Sequence, residues 1–434
     1  MPTRSAVVPT TRAPRSWSGP VRLGWPLWIC TAGIPLAAVL GVHGIVWVLP
    51  ALVLGPRLLV ARTPRVPWSV WALAGFLVVA SLGALEVRGV STLVFGYRWL
   101  VLLGAWCAEV WLCTVPPERL STDRVVRWVG ALWICLVAFG WAAMLVRFDR
   151  SSPLQSLLPS GIRSAGFVHQ LTAWQLAEVQ QVAQRTLARP SAPFGWANGW
   201  GSAFAITLPC FVRSCFVGVS RRRRAICVAL ALAGLPPMLA SLNRGLWMIV
   251  AVLAVVVALR SALRGNLRAV GLLVAVGVVV VVLLTATPLG GQVAARLSDT
   301  TDSNDARAAI YQQAWSGAWA SPVVGHGAPT EVVGSSLPPV GTHGLLWNLL
   351  WSFGPVATLL FVFWLLAEVL HSAPARAPGG LWLHLSLLAG LLQVPIYGLL
   401  PQVVLLGVVA GLVRRDTAHP TARSTESPNT EVTA

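Results

Sequence analysis

The sequence predicts an all-α integral membrane protein of about 12 transmembrane helices, with two long extracytoplasmic loops that contain helices. Three observations lead there. Apolar residues make up 56% of the 434 and charged residues only 11%, against roughly 45–50% and about 25% in a soluble domain. Apolar segments of about 20 residues, the length a spanning helix needs, follow one another along the chain. The charge is one-sided, with 32 basic residues against 14 acidic, and every basic residue is Arg. These arginines interrupt apolar runs rather than gather on a polar surface, so they point to the bilayer and not to nucleic acid.

The spans fall at 25–41, 44–60, 68–86, 92–114, 125–147, 198–218, 225–241, 245–262, 268–287, 344–370, 381–397 and 399–413. A Pro/Ser/Arg-rich tail, 1–24, comes first, and the absence of a small-x-small cleavage site reads the first span as a retained helix. Five spans form an N-terminal membrane region (25–147), four a central one (198–287) and the rest a C-terminal one (344–413). A polar, disordered tail (414–434) follows. Arginine is counterselected in translocated loops. With both termini cytoplasmic, 22 of the 32 arginines lie inside, Arg98 lies within a span and nine remain outside.

This topology places both long loops, 148–197 and 288–343, on the extracytoplasmic side. In the first, Phe167 to Leu187 predicts an interfacial amphipathic helix with Val168, Leu171, Leu176, Val179 and Val182 on its apolar side. The turn-rich run RPSAPFGWANGWG (189–201) then leads back to the membrane. In the second loop, a polar helix runs from Asp299 to Trp319, and a Gly/Pro-rich passage closes it.

The chemistry is narrowed mostly by exclusion. Seven cysteines, odd in number and all in apolar runs without a CxxC, suggest neither a disulfide framework nor a zinc site. Asp299, Asp302 and Asp305 recur every three residues but lack a fourth hard ligand, so they read as a solvated helix face and no metal is expected. A chain without Lys has no Walker motif, and GxSxG, HExxH and GxGxxG are all missing. The remaining candidates cluster on the outer side. Arg244, in LASLNRGLWMIV, sits at a turn between apolar helices, where its fork of donors suits a phosphate or snorkels to headgroups. Arg307 shares a polar helix with Tyr311 and Trp315, and either binds an anion or pairs in solvent with Asp302 or Asp305. His343, in VGTHGLLWN, stands where the loop re-enters the membrane. It is either a base for a sugar hydroxyl or a hydrogen-bonded interfacial histidine. His326, in GHG, reads as a loop histidine between two glycines.

Four stretches resemble the O-antigen ligase and polymerase superfamily, GT-C-type membrane glycosyltransferases that use polyprenyl-diphosphate-linked sugars. SLNRG is similar to the family's S-x-S-R-G, with Asn243 where Ser is usual. DARAAIYQQAWSGAWASPVVGHG is similar to its loop segment and supplies Arg307, Trp315, Pro322, Gly325 and Gly327. THGLLWNLLWSFG supplies His343, Asn348 and Gly354, with Gly344 where Asn is usual, and RPSAPFGWANGWG resembles a segment of some members. The likeness covers about 190–370.

The resemblance implies that Arg244 and Arg307 bind the diphosphate of a polyprenyl-diphosphate-linked glycan donor and that His343 assists a hydroxyl of a glycan or lipid acceptor. Asn348, Tyr311, Trp315 and His326 become lesser candidates for substrate contact. It also implies inverting transfer without a cofactor, at the outer face of a bacterial cytoplasmic membrane; polymerase and ligase share this donor chemistry. The competing reading is a transporter or flippase of lipid-linked sugars. Twelve spans suit it, but only Arg98 and Glu109 are charged deep within spans, where a transport path usually gathers ionisable groups.

Overall fold

Apolar helices with few internal breaks dominate the computed structural model, which describes residues 20–60, 66–146, 149–150, 152–163, 166–182, 185–216, 219–298, 301–331, 338–374 and 379–418. The tail before Pro20, Asp299 and the chain beyond Ala418 lie outside these residues. In the N-terminal region, α1 (Pro20–Cys30) and α2 (Ile34–Leu40) are followed by short 3-10 and π turns and α3 (Gly55–Val60). Then come α4 (Trp68–Ser81), α5 (Val90–Thr114) and α6 (Thr122–Leu145). The segment beyond α6 holds β1 (Asp149–Arg150), α7 (Pro153–Leu157), α8 (Ser160–Arg163), α9 (Gly166–Thr172), β2 (Trp174–Gln175), β3 (Ala177–Val182) and β4 (Arg185–Pro190). The central region comprises α10 (Ala197–Phe216), α11 (Arg221–Ala233), α12 (Leu235–Ala240), α13 (Arg244–Leu263) and α14 (Leu267–Ala286). Two polar helices, α15 (Pro288–Ser298) and α16 (Thr301–Ala320), precede α17 (Leu345–Ser372), α18 (Gly380–Gln393) and α19 (Val403–Ala418).

Seven of the described helical segments are long and apolar enough to cross a membrane: Trp68–Leu85, Val90–Thr114, Thr122–Leu145, Arg221–Ala240, Arg244–Leu263, Leu267–Ala286 and Leu345–Ser372. The expected number of twelve is not reached, because hydropathy sees apolar content and not helix continuity. Residues 25–41 break between α1 and α2, the helical run in 44–60 covers only Val46–Val60, and α18 stops at Gln393. Apolarity also has two different causes here. In α19 every residue from Val403 to Val413 is buried by other helices, whereas α14 fully buries none of its residues and packs on the core along one side only, through Val276, Val280, Leu283 and Leu284.

Two expectations are corrected. The amphipathic helix over 167–187 exists only as α9, to Thr172; beyond it the chain turns into an antiparallel hairpin pairing Ala177 with Pro190 and Glu178 with Arg189. Val168 and Leu171 stay on α9, while Val179 and Val182 lie on a strand of period two, on which Glu178 and Gln180 share one face. Residues 414–418 of the stretch assigned to a tail belong to α19, which runs on to Ala418. Arg414 grips the buried Glu368 with two donors, at 2.7 and 2.8 Å, and Arg415 donates to the Leu120 carbonyl and the Thr122 hydroxyl at 2.8 and 2.9 Å. The deep Glu109 likewise accepts from the Trp364 indole at 2.8 Å, so these buried charges tie helices together.

The break inside α17 fixes the loop before it. Gly354 departs from helical geometry (φ 76°) and Pro355 follows, leaving the carbonyls of Trp351 and Ser352 without their usual donors. The preceding loop supplies them: His326 N–H donates to Trp351 O at 2.9 Å and Gly327 N–H to Ser352 O at 2.8 Å, while Val356 N–H turns to Pro322 O at 3.4 Å. The Pro-x-x-Gly-x-Gly passage is therefore a splice onto the broken helix, a place where a buried carbonyl cannot be left unpaired. A Cβ on Gly325, which has φ +71°, would lie 2.5 Å from Ser352 O. Gly325→Ala is expected to cost about 1–3 kcal/mol, read as a lowered unfolding temperature in detergent.

Candidate functional site

The turn between α12 and α13 builds the first wall of the site. Leu242 adopts φ +51°, a strained setting for a branched-chain residue, and Asn243 then caps α13 by accepting from Leu246 N–H at 2.9 Å. Arg244 becomes the first residue of the helix, so its guanidinium joins the positive helix end, an arrangement suited to an anion. Gly245 follows because the Tyr397 ring leaves no room: a Cβ would come within 2.4–2.7 Å of it.

The β3–β4 hairpin forms a second wall. Cross-strand pairing sets Glu178 opposite Arg189, and the two side chains approach to 3.6 Å. Arg189 also donates to Gln180 Oε1 at 2.5 Å, Asn198 Oδ1 at 3.3 Å and the Ser241 carbonyl at 2.7 Å. Burial pulls its pKa down and Glu178 opposes the shift. Glu178 meanwhile accepts from Ala197 N–H at the start of α10, at 2.8 Å. Arg189 is thus a strut that fastens the hairpin to the α12–α13 turn.

The third wall carries His343. Asn348 donates to Gly341 O, and its own N–H reaches Gly344 O at 3.0 Å, closing the turn on either side of the imidazole. Gly344 holds φ +74° at the start of α17, and a Cβ there would meet Pro395 O at 2.8 Å, which explains glycine at that position. The Thr342 hydroxyl donates to Pro339 O at 2.6 Å and lies 3.0 Å from His343 Nδ1. One hydroxyl has one proton, so Nδ1 carries a hydrogen that it donates to Thr342 Oγ1, and Nε2 is left as an acceptor. Burial first, and then the Arg307 charge, hold the His343 pKa below the ordinary histidine value. Arg307 is placed by α16, where Tyr311, one turn on, stacks on Trp347 of α17 with centroids 4.5 Å apart.

These walls enclose a cavity of about 530 Å³. Arg244, Arg307 and His343 all line it, so the three principal sequence candidates meet. Asn348, Tyr311, Trp315 and His326 do not line it. Asn348 and Tyr311 position its walls, as described. Trp315 and Trp319 form an edge-on pair at 5.5 Å, each more than half exposed. His326 packs on Trp351 at 4.1 Å and hydrogen-bonds to Gly317 O at 3.1 Å. Sequence reasoning missed Arg189, Arg296, Glu178, Gln180, Asn198 and Tyr397. A signal for two of them existed: of the nine arginines assigned to the outer side against the charge bias, four line this cavity, namely Arg189, Arg244, Arg296 and Arg307. With Glu178 as the one carboxylate among the described lining residues, against Arg189, Arg244, Arg296 and Arg307, that lining is strongly cationic.

Residues 226–362 match the family model described as O-Antigen ligase. No curated protein and no solved structure matches. The matched segment includes Arg244, Arg307, His343 and the break of α17 at Gly354, while the hairpin wall and Tyr397 lie outside it.

Proposed function

We propose that the chain, whose residues 226–362 match the O-antigen ligase family model, moves a polyprenyl-diphosphate-linked oligosaccharide onto a hydroxyl of a glycan or lipid acceptor, at the extracytoplasmic face. The observation that carries this reading is the meeting of Arg244, Arg307 and His343 on one cationic cavity. Arg244 and Arg307 hold the diphosphate and stabilise the charge that grows on it as the bond to the sugar breaks. The acceptor oxygen attacks the anomeric carbon from the side opposite the diphosphate, and its proton passes to His343 Nε2. Polyprenyl diphosphate leaves with the bonding electron pair, and configuration at that carbon inverts. The leaving group is already activated, so the chain's own donors and one base account for the step without a nucleotide.

The direct test reconstitutes the purified protein in vesicles with a polyprenyl-diphosphate-linked oligosaccharide and a glycan acceptor. Release of polyprenyl diphosphate in step with glycan product is expected; lipid translocation without product would establish the flippase reading instead. The pH profile gives a second test. A lowered pKa keeps His343 neutral, and able to accept a proton, at neutral pH. Activity is therefore expected to fall with acid only below the ordinary histidine value of about 6.5. Arg307→Gln removes one cause of that shift, so the acid limb should move to higher pH as the rate drops. An acid limb that stays in place would uncouple Arg307 from the base.

A further inference from the structure

Tyr397 lies outside the matched segment and on a stretch that hydropathy assigned to a span, yet it ties two walls of the cavity together. It follows α18, and its carbonyl accepts Leu345 N–H at 2.8 Å. Leu345 opens α17 two residues after His343, so this bond satisfies one of the orphan donors of the helix start. At its other end, the Tyr397 hydroxyl accepts Gly245 N–H at 2.9 Å, one residue after Arg244. Gly245 is glycine because a Cβ would collide with this ring. The residue is only 5% exposed but lines the cavity.

The proton of the hydroxyl has a restricted destination. A phenol oxygen that accepts from Gly245 still has one O–H to give. Tyr397 shares the cavity lining with the guanidinium groups of Arg307, Arg189 and Arg244, and a guanidinium has no acceptor atom. Three donor groups converging with a fourth describe a socket for a ligand rich in acceptor oxygens and negative charge, which is the chemistry of a diphosphate.

We propose that Tyr397 donates its hydroxyl proton to the diphosphate of the lipid-linked donor while its main chain and ring fix Arg244 against His343. This rests on the transfer reading above and adds a group to its donor-binding wall.

The test is binding of farnesyl diphosphate to the full-length protein in phosphatidylcholine nanodiscs, together with donor and acceptor KM in the transfer assay. Tyr397→Phe keeps the ring and is expected to weaken binding about tenfold, the size of one lost hydrogen bond to a charged group. Donor KM should rise by a similar factor with acceptor KM unchanged. A purely structural tyrosine would instead raise both KM values together or lower the unfolding temperature without a donor-selective effect, and either result overturns the proposal. Arg244→Ala separates this inference from the one beneath it. If Arg244→Ala loses binding while Tyr397→Phe binds as the parent does, only the tyrosine assignment falls. If both variants bind as the parent does, the diphosphate socket itself falls. Phosphatidylglycerol in the disc that occupies the site through Tyr397, with farnesyl diphosphate unable to displace it, would assign the proton to a headgroup and likewise overturn the proposal.

Discussion

Replacing His343 by alanine is expected to slow glycan transfer by about 10²–10⁴-fold, the usual contribution of a positioned general base, while binding of the lipid diphosphate donor is retained. The split follows from geometry. His343 shares the cavity with the arginines, but its free nitrogen is an acceptor and cannot hold an anion in its neutral form. The loss should appear in kcat, and it should take the acid limb of the pH profile with it. Thr342→Val gives a milder companion result, since it removes the oxygen to which Nδ1 donates and with it the preference for the tautomer that leaves Nε2 open. A reduced rate with an unchanged unfolding temperature is expected there, and Thr342→Ser should restore most of it. Full transfer by His343→Ala protein shown to be inserted and folded would remove the histidine from the mechanism.

How much of this was legible in the sequence depends on which physical signal each element leaves. Long spans such as α5, α6 and α17 announce themselves because twenty or more apolar residues have no other stable home. Hydropathy alone does not separate the others, because α19 and α14 read alike although one is buried by protein on every side and the other on one side only. The hairpin at Ala177–Pro190 was hidden for a different reason. Val179 and Val182, three residues apart, fit a helical period and fall on opposite faces of a strand, and the cross-strand pair Glu178–Arg189 that decides the matter is not visible until the chain folds.

For the site, the same contrast holds between local and assembled features. Arg244 and His343 were legible because each sits in a short, chemically odd setting: a cation starting an apolar helix, and an imidazole where a polar loop runs into an apolar helix. His326, Gly325 and Gly327 stood in an equally conspicuous motif, but their chemistry is structural, since they complete the broken ladder of α17. Tyr397 left no local trace at all. Its role comes from a bond to Gly245 across 152 positions of sequence, and only the pairing of an otherwise unexplained glycine with a distant ring would have pointed to it.

The second large effect is expected at Arg244. Arg244→Ala should lower kcat/KM for the lipid donor by about 10²–10³-fold, or about 2.7–4 kcal/mol, the scale seen when one preorganised donor to a developing anion is removed. Stability is expected to move little, and the reason lies in the helix it begins. Arg244 is the first residue of α13, whose first turn contains no acidic side chain. A cation at that end opposes the helix dipole by about 0.3–1 kcal/mol. Removing it relieves that repulsion, which offsets the packing lost with the side chain. A cation placed at a helix start, beside a leucine held at φ +51°, has the pattern of a site that favours ligand binding over stability. Arg244→Lys separates charge from shape. It restores the charge but not the two parallel donors of the guanidinium fork, so recovery should be partial. Complete recovery would mean that the cavity uses Arg244 as a point charge. An Arg244→Ala protein that turns over as fast as the parent would show that the diphosphate is held by other groups.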